Sequence, residues 1–175
     1  VGLPDKTRTE SYFHVKYDPA ARGAGAGGEE GANVGQNIFY RPASSGVYAA
    51  VVNAELGRVG FNDVSRAYAV GEADRRARAR ALLQSLAYTF LKPTGAHRNT
   101  QNPHAVAMEG VVAVSRGTVP APTASPLGAG YAEQVEEVAR ELNRLNPGAV
   151  ETFRFASQSE FARVMADLVQ RVQGG

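Results

Sequence analysis

Residues 72–91 read EADRRARARALLQSLAYTFL, residues 92–104 read KPTGAHRNTQNPH, and residues 105–116 read AVAMEGVVAVSR. In the first part Ala79, Leu82, Leu83, Leu86 and Phe90 recur at helical spacing and form one apolar face, so the spacing predicts a helix from Glu72 to Leu91. Gly71 is permissive just before it, and Pro93 lies just past its end. The second part is polar and shows no periodicity, which reads as a loop. The third is rich in β-branched residues and reads as a strand, with Gly110 a bulge or a point of close approach.

Downstream, Thr118 to Gly130 is a Pro/Gly/Ser/Ala connector. A second helix is expected over Tyr131–Asn146, striped by Tyr131, Val135, Val138, Ala139, Leu142 and Leu145 and ended by Pro147-Gly148. Val150–Phe155 reads as a short strand. Ser157 and Glu160 match a capping box, and Phe161, Val164, Met165, Leu168 and Val172 stripe a last helix. Upstream, Gly46–Leu56 (GVYAAVVNAEL) is apolar on both faces and reads as a central strand covered on both sides. Asn37–Arg41 reads as a short strand stopped by Pro42, and Glu10–Tyr17 as another. Residues 21–35 are glycine-rich and low in apolar surface, which reads as a mobile loop. The order is β-β-α-β-α-β-α, an α+β class with a mostly antiparallel sheet, helices on one face and irregular insertions. The domain reading is an irregular, partly mobile segment over 1–36 and one domain over 37–175.

Several function classes fall away on composition. The chain has 175 residues, 43% of them hydrophobic and 21% charged, as in ordinary globular proteins. No apolar run approaches the roughly 18–20 residues of a membrane span. There is no basic-then-apolar leader to argue for export, and the chain opens at Val1 without Met, which reads as a fragment or as a partly ordered protein whose numbering hides gaps. With no cysteine it has no disulfide framework, thiolate nucleophile or Cys-type zinc site, which fits a reducing, cytoplasmic setting. There is no Ser-His-Asp order and no GxSxG elbow. The glycines from 23 to 28 lack the Gly-Lys-Ser/Thr ending of a phosphate loop.

Net charge is only +2, but its distribution is uneven. Residues 72–91 carry Arg75, Arg76, Arg78 and Arg80 against Glu72 and Asp74, whereas 131–146 hold four glutamates against two arginines. The loop 92–104 has Lys92, His97, Arg98, Asn99, Thr100, Gln101, Asn102 and His104 and no acid. Such side chains, with the free backbone N–H groups of a loop, bind phosphates and ribose hydroxyls. A solvated surface loop has the same composition. Arg8, Tyr12, His14 and Lys16 form a smaller basic and aromatic patch, suited to stacking a base and holding its phosphate, or to an ordinary edge strand. The four arginines of the helix spread around its wheel and read as solvated or paired. His97 and His104, seven residues apart in a loop with only Glu109 nearby, lack a third ligand, so neither metal nor cofactor is expected. The long strands carry no RNP-type aromatic signature.

The run from Ile38 to Ala49 (IFYRPASSGVYA), then Val59–Val64 (VGFNDV), Leu82–Gly117, the PAPTASPL segment and the closing EFARVMADLV helix resemble the DevR-type subunits of CRISPR surveillance complexes, over about residues 36–172. The family's opening palm strand and thumb are not recognisable before residue 36. The resemblance implies a modified RRM-like, ferredoxin-like palm and a non-catalytic backbone subunit of a type I (Cascade) complex in antiviral defence. Such a subunit assembles with copies of itself and with other Cascade subunits. It grips CRISPR guide RNA by its sugar-phosphate backbone and presents it to target DNA. The loop Lys92–His104 is the segment the resemblance places against RNA. The expected RNA-binding residues are therefore Lys92, His97, Arg98, Asn99, Gln101 and His104, with Arg8, His14 and Lys16. A rival is a metal-independent ribonuclease of the same superfamily using His14, His97 or His104. A third reading is a protein-interaction module without RNA.

Overall fold

A computed structural model describes residues 2–15, 36–93 and 104–174. The chain forms two compact units, dividing between Ala50 and Val51. The first is an antiparallel ribbon of β1 (Gly2–Val15) and β2 (Gln36–Tyr48), registered from Gly2 opposite Tyr48 to Val15 opposite Gln36, with a shift between Pro4 and Lys6. Both strands are longer than the sequence suggests. Pro42 does not stop β2 but stands opposite Thr9. In a two-stranded ribbon each strand is an edge, where proline's missing N–H is tolerated. The glycine-rich segment 21–35, expected to be mobile, lies outside the described residues.

The second unit opens with the clearest departure. The long strand expected over Gly46–Leu56 ends at Tyr48; residues 49–55 have no regular structure, and Leu56–Arg58 form a 3-10 turn. Val51 and Val52 are exposed rather than covered on both sides. An apolar run rich in β-branched residues makes a strand only where a neighbour takes its hydrogen bonds. A small hairpin follows, β3 (Phe61–Asn62) against β4 (Ala67–Tyr68). The Asn62 side-chain oxygen accepts from the N–H groups of Val64 and Ser65, turning the chain between the two strands.

The helix–loop–strand reading holds. α1 spans Glu72–Leu91 as expected, β5 spans Gly110–Ser115, α2 spans Tyr131–Leu145, β6 spans Val150–Phe155 and α3 spans Gln158–Gly174. β5 and β6 pair antiparallel, with Val112 opposite Phe153 and Gly110 opposite Phe155. The core is α1 against α3: Leu83 and Ala87 with Phe161, Met165 and Leu168, joined by Val112, Val114, Phe153 and Phe155 from one sheet face. Phe90 meets Phe161 edge-on at 6.0 Å, and Phe161 lies 5.1 Å from Phe155. Burying such rings dominates core energetics; a Phe→Ala change at Phe161 would cost about 3–5 kcal/mol.

The opposite sheet face carries Val150, Thr152 and Arg154 and is covered by α2 through buried Val135 and Ala139. Arg154 pairs there with Glu133 and Glu136 of α2. Asn143 of α2 clips Val150 at both backbone groups, donating to its carbonyl at 2.8 Å and accepting from its N–H at 2.9 Å. The α+β class is as expected, and the mix of helices and small antiparallel sheets is consistent with a ferredoxin-like or RRM-like fold. One detail differs. The helices do not share one face: α1 and α3 lie on one side, α2 on the other. The reason is the unbroken apolar run Val111–Val114 in β5, which presents apolar side chains both ways and needs cover on both.

Two local readings are met in atomic detail. Ser157 Oγ accepts from the Glu160 N–H at 3.2 Å, and the Glu160 carboxylate accepts from the Ala156 N–H at 2.7 Å, one residue earlier than the simple capping box. Gly110 is a point of close approach: a Cβ there would overlap the Phe155 ring. Replacing Gly110 by Ala should destabilise the protein by about 1–3 kcal/mol, the usual range for overpacking. Combining it with Phe155→Leu should cost less than the sum of the two changes, as measured by denaturant unfolding.

Candidate nucleic-acid interface

Lys92 sits where α1 ends. Its N–H closes the helix on the Tyr88 carbonyl at 2.9 Å, and its side chain is exposed. A cation in this place also complements the negative end of the helix dipole. His104, at the far end of the proposed binding loop, is exposed and precedes β5 by six residues. His97, Arg98, Asn99 and Gln101 lie outside the described residues, as does Lys16. Arg8 stands opposite Ala43 and His14 opposite Asn37 in the first unit's ribbon.

Both flanks of the loop are tied to one core. Phe90 and Leu91, directly before Lys92, pack against the α1–α3 cluster, and so does Met108, four residues after His104. The core therefore holds the two ends of the polar segment.

The helix arginines divide into paired and unpaired. Arg75 is not a surface cation. Its guanidinium lies 3.3 Å from the centre of the Tyr68 ring and bonds Glu72 at 2.9 Å. Tyr68 in turn stacks edge-on to Phe61 and donates its hydroxyl to the Gly57 carbonyl. This cation–π contact fastens the β3–β4 hairpin to the first turns of α1. Gly60, at φ 77°, lets the chain pass close to Val70 and Arg75. Arg76 also faces Glu72, at 3.9 Å. Arg78 and Arg80 are exposed and make no ion pair among the described residues. The expectation of solvated or paired arginines is thus met, with a specific role for Arg75 that spacing alone does not reveal.

One sequence signal extends the site. From Arg75 to Met108 the chain contains no Asp or Glu, while it contains Arg75, Arg76, Arg78, Arg80, Lys92 and Arg98. The acid-free run thus begins inside α1 and continues through the loop. The acids lie elsewhere. Glu151 is held between Arg116 and Arg171, at 2.6 and 2.7 Å. Among the described residues no group of three His, Asp or Glu stands together to hold a metal ion.

The family model described as CRISPR-associated negative auto-regulator DevR/Csa2 matches residues 1–136. The chain belongs to this CRISPR-associated family. The match corrects the extent read from sequence: it begins at residue 1, so the first unit is part of the family's pattern, and it ends within α2, before β6 and α3. No curated protein matches the chain. No helix among the described residues is long and apolar enough to cross a membrane.

The ion pairs around the sheet set an acid limit on the fold. Hydrogen bonding from Arg154 holds the Glu133 carboxyl below the ordinary carboxylate range, and Arg171 does the same for Glu151. Burial, and then Glu109, raise Tyr131 above the usual phenol value. A carboxyl with a lowered native pKa contributes stability that is complete above its unfolded value and lost as pH falls through its native one. The melting temperature should therefore drop on acidification from the ordinary carboxylate range downward. In the Arg154→Gln, Arg171→Gln double variant that drop should be shallower, as followed by circular dichroism from pH 6 to pH 3.

Proposed function

We propose that this protein is a non-catalytic, RNA-gripping backbone subunit of a CRISPR effector complex. It holds guide RNA by its sugar-phosphate backbone and assembles with further copies and other subunits of the complex, in the cytoplasm. The observation that carries the reading is the acid-free cationic run leading through Lys92 into the loop, in a chain that belongs to the DevR/Csa2 family. A strand gripped by backbone contacts needs donors and positive charge without sequence-specific pockets. Lys92 and Arg98 supply the charge; Asn99, Gln101, His97 and His104 supply donors for phosphate and 2′-hydroxyl groups.

Arg78, Arg80 and Lys92 make no ion pair among the described residues, so for these cations no such pair has to be given up before a phosphate is met. The charge is also sorted: α2 alone carries four of the second unit's nine glutamates, and Glu133 and Glu136 among them are engaged by Arg154.

The test is binding of unrelated single-stranded RNAs as a function of salt. Each neutralised phosphate contributes about −0.7 to the slope of log K against log salt. Lys92→Ala combined with Arg98→Ala should lower that slope by about 1.4 and weaken binding to a similar degree for all sequences. A loss confined to one sequence would speak for base reading instead. Incubation with repeat RNA in EDTA separates the ribonuclease alternative: discrete products that vanish with His97→Ala would replace this proposal, and intact RNA upholds it.

A further inference from the structure

The side of α1 turned away from α3 has a composition that packing does not explain. Leu83 and Ala87 mark the buried side. At 100° per residue, Arg78, Ala81, Ser85 and Tyr88 fall on the opposite side, and Lys92 caps the helix at its end. Arg78 and Lys92 are exposed and have no ion-pair partner among the described residues. Tyr88 is 67% exposed. Aromatic residues are weak helix formers, so an outward-facing tyrosine gains nothing for the helix itself. Between the cations the outward positions are small, Ala81 and Ser85. The face's lone acid is Asp74, one turn before Arg78. From Arg78 to Leu91, just before Lys92, the helix rises about 20 Å, a length that several nucleotides of single strand cover.

An exposed ring set between unpaired cations, with no carboxylate beyond the helix's first turn, matches the chemistry of single-stranded nucleic-acid binding. The ring stacks a base of any identity and the cations hold the phosphates on either side. An acidic protein segment would use the cations but has no need of the ring. Small residues between the charged ends let a backbone lie close along the helix.

We infer that this face of α1 is a track for single-stranded RNA, with Tyr88 as a base-stacking platform and Arg78 and, at the helix end, Lys92 as phosphate holds. The inference rests on the RNA-binding reading above and extends it to residues that the loop does not contain. The strand lies beside Arg78, passes over Ala81 and Ser85, stacks a base on Tyr88 and meets Lys92 at the helix end.

The experiment uses the full chain and fluorescein-labelled single-stranded RNAs of two unrelated sequences, with anisotropy measured over a range of salt. Tyr88→Ala should weaken binding about tenfold, while Tyr88→Phe, which keeps the ring, stays within about twofold of the parent. Arg78→Gln should lower the salt slope by about 0.7. Photocrosslinking of 4-thiouridine RNA to the peptide holding Tyr88 gives a readout independent of any variant. Unchanged melting temperatures should accompany these changes, since both side chains are exposed. If the parent binds and Lys92→Ala with Arg98→Ala weakens it, but Tyr88→Ala and Arg78→Gln leave binding as it was and no crosslink forms, the track is overturned and the functional reading stands. If the parent fails to bind either RNA, both fall. Tenfold loss on Tyr88→Phe as well as on Tyr88→Ala overturns the stacking role. Displacement of the RNA by a polyglutamate peptide with equal effect on the Tyr88→Ala variant and the parent overturns the assignment in favour of an acidic protein partner.

Discussion

The packing of α1 on α3 is the contact from which the second unit takes its form. Leu83 and Ala87 on one helix, and Phe161, Met165 and Leu168 on the other, exclude water together with the apolar face of β5 and β6. Neither helix is apolar enough to stand alone; α1 in particular carries four arginines in its first nine residues. Its helical state is bought by that shared interface. Once α1 is fixed, the position of Lys92 follows, because it is the residue at which the helix stops. The return of the chain into β5 is fixed by the same cluster through Met108.

The sheet between the helices must satisfy two partners. Its α3-facing side is aromatic, with Phe153 and Phe155, and its α2-facing side is mixed, with Val150, Thr152 and Arg154. Arg154 is workable there because two glutamates of α2 meet it, and the small buried residues of α2, Val135 and Ala139, leave room for close approach. The same division sorts the charge. Glutamates gather on α2, whereas the end of α1 and the segment after it are free of acids.

How much was legible in the sequence depended on whether the signal was local. The three helices and β6 could be read almost residue by residue, because a 3.6-residue period, a cap such as Ser157 and a stop such as Pro147-Gly148 are all contained within the element. Gly110 could be read as a close approach for the same reason, although not which ring it meets. Gly46–Leu56 reads as one strand by composition, but a strand is defined by its pairing, and residues 50–55 join no sheet among the described residues. The β3–β4 hairpin was missed since two-residue strands leave no periodic trace and its turn rests on the single side chain of Asn62. For the candidate site, Lys92 and His104 were legible as the polar ends of an unpatterned loop. The role of Arg75 was not, because its partner Tyr68 reaches it only after the hairpin folds back. The split of helices between two sheet faces was implicit in Val111–Val114, but period-2 reasoning gives faces without saying which helix covers each.

The three phenylalanines Phe90, Phe161 and Phe155 form a chain of ring contacts that runs from the last turn of α1, through α3, to the strand position facing Gly110. Rigid walls at both ends of a segment reduce the number of paths it can take between them. In general a chain held at both ends has less freedom to lose than a tail of equal length. A hydrophobic triad with no polar atom of its own thereby sets the end of α1 and the Gly110 end of β5 against one another, and a change in any of its rings would disturb both ends together with the core.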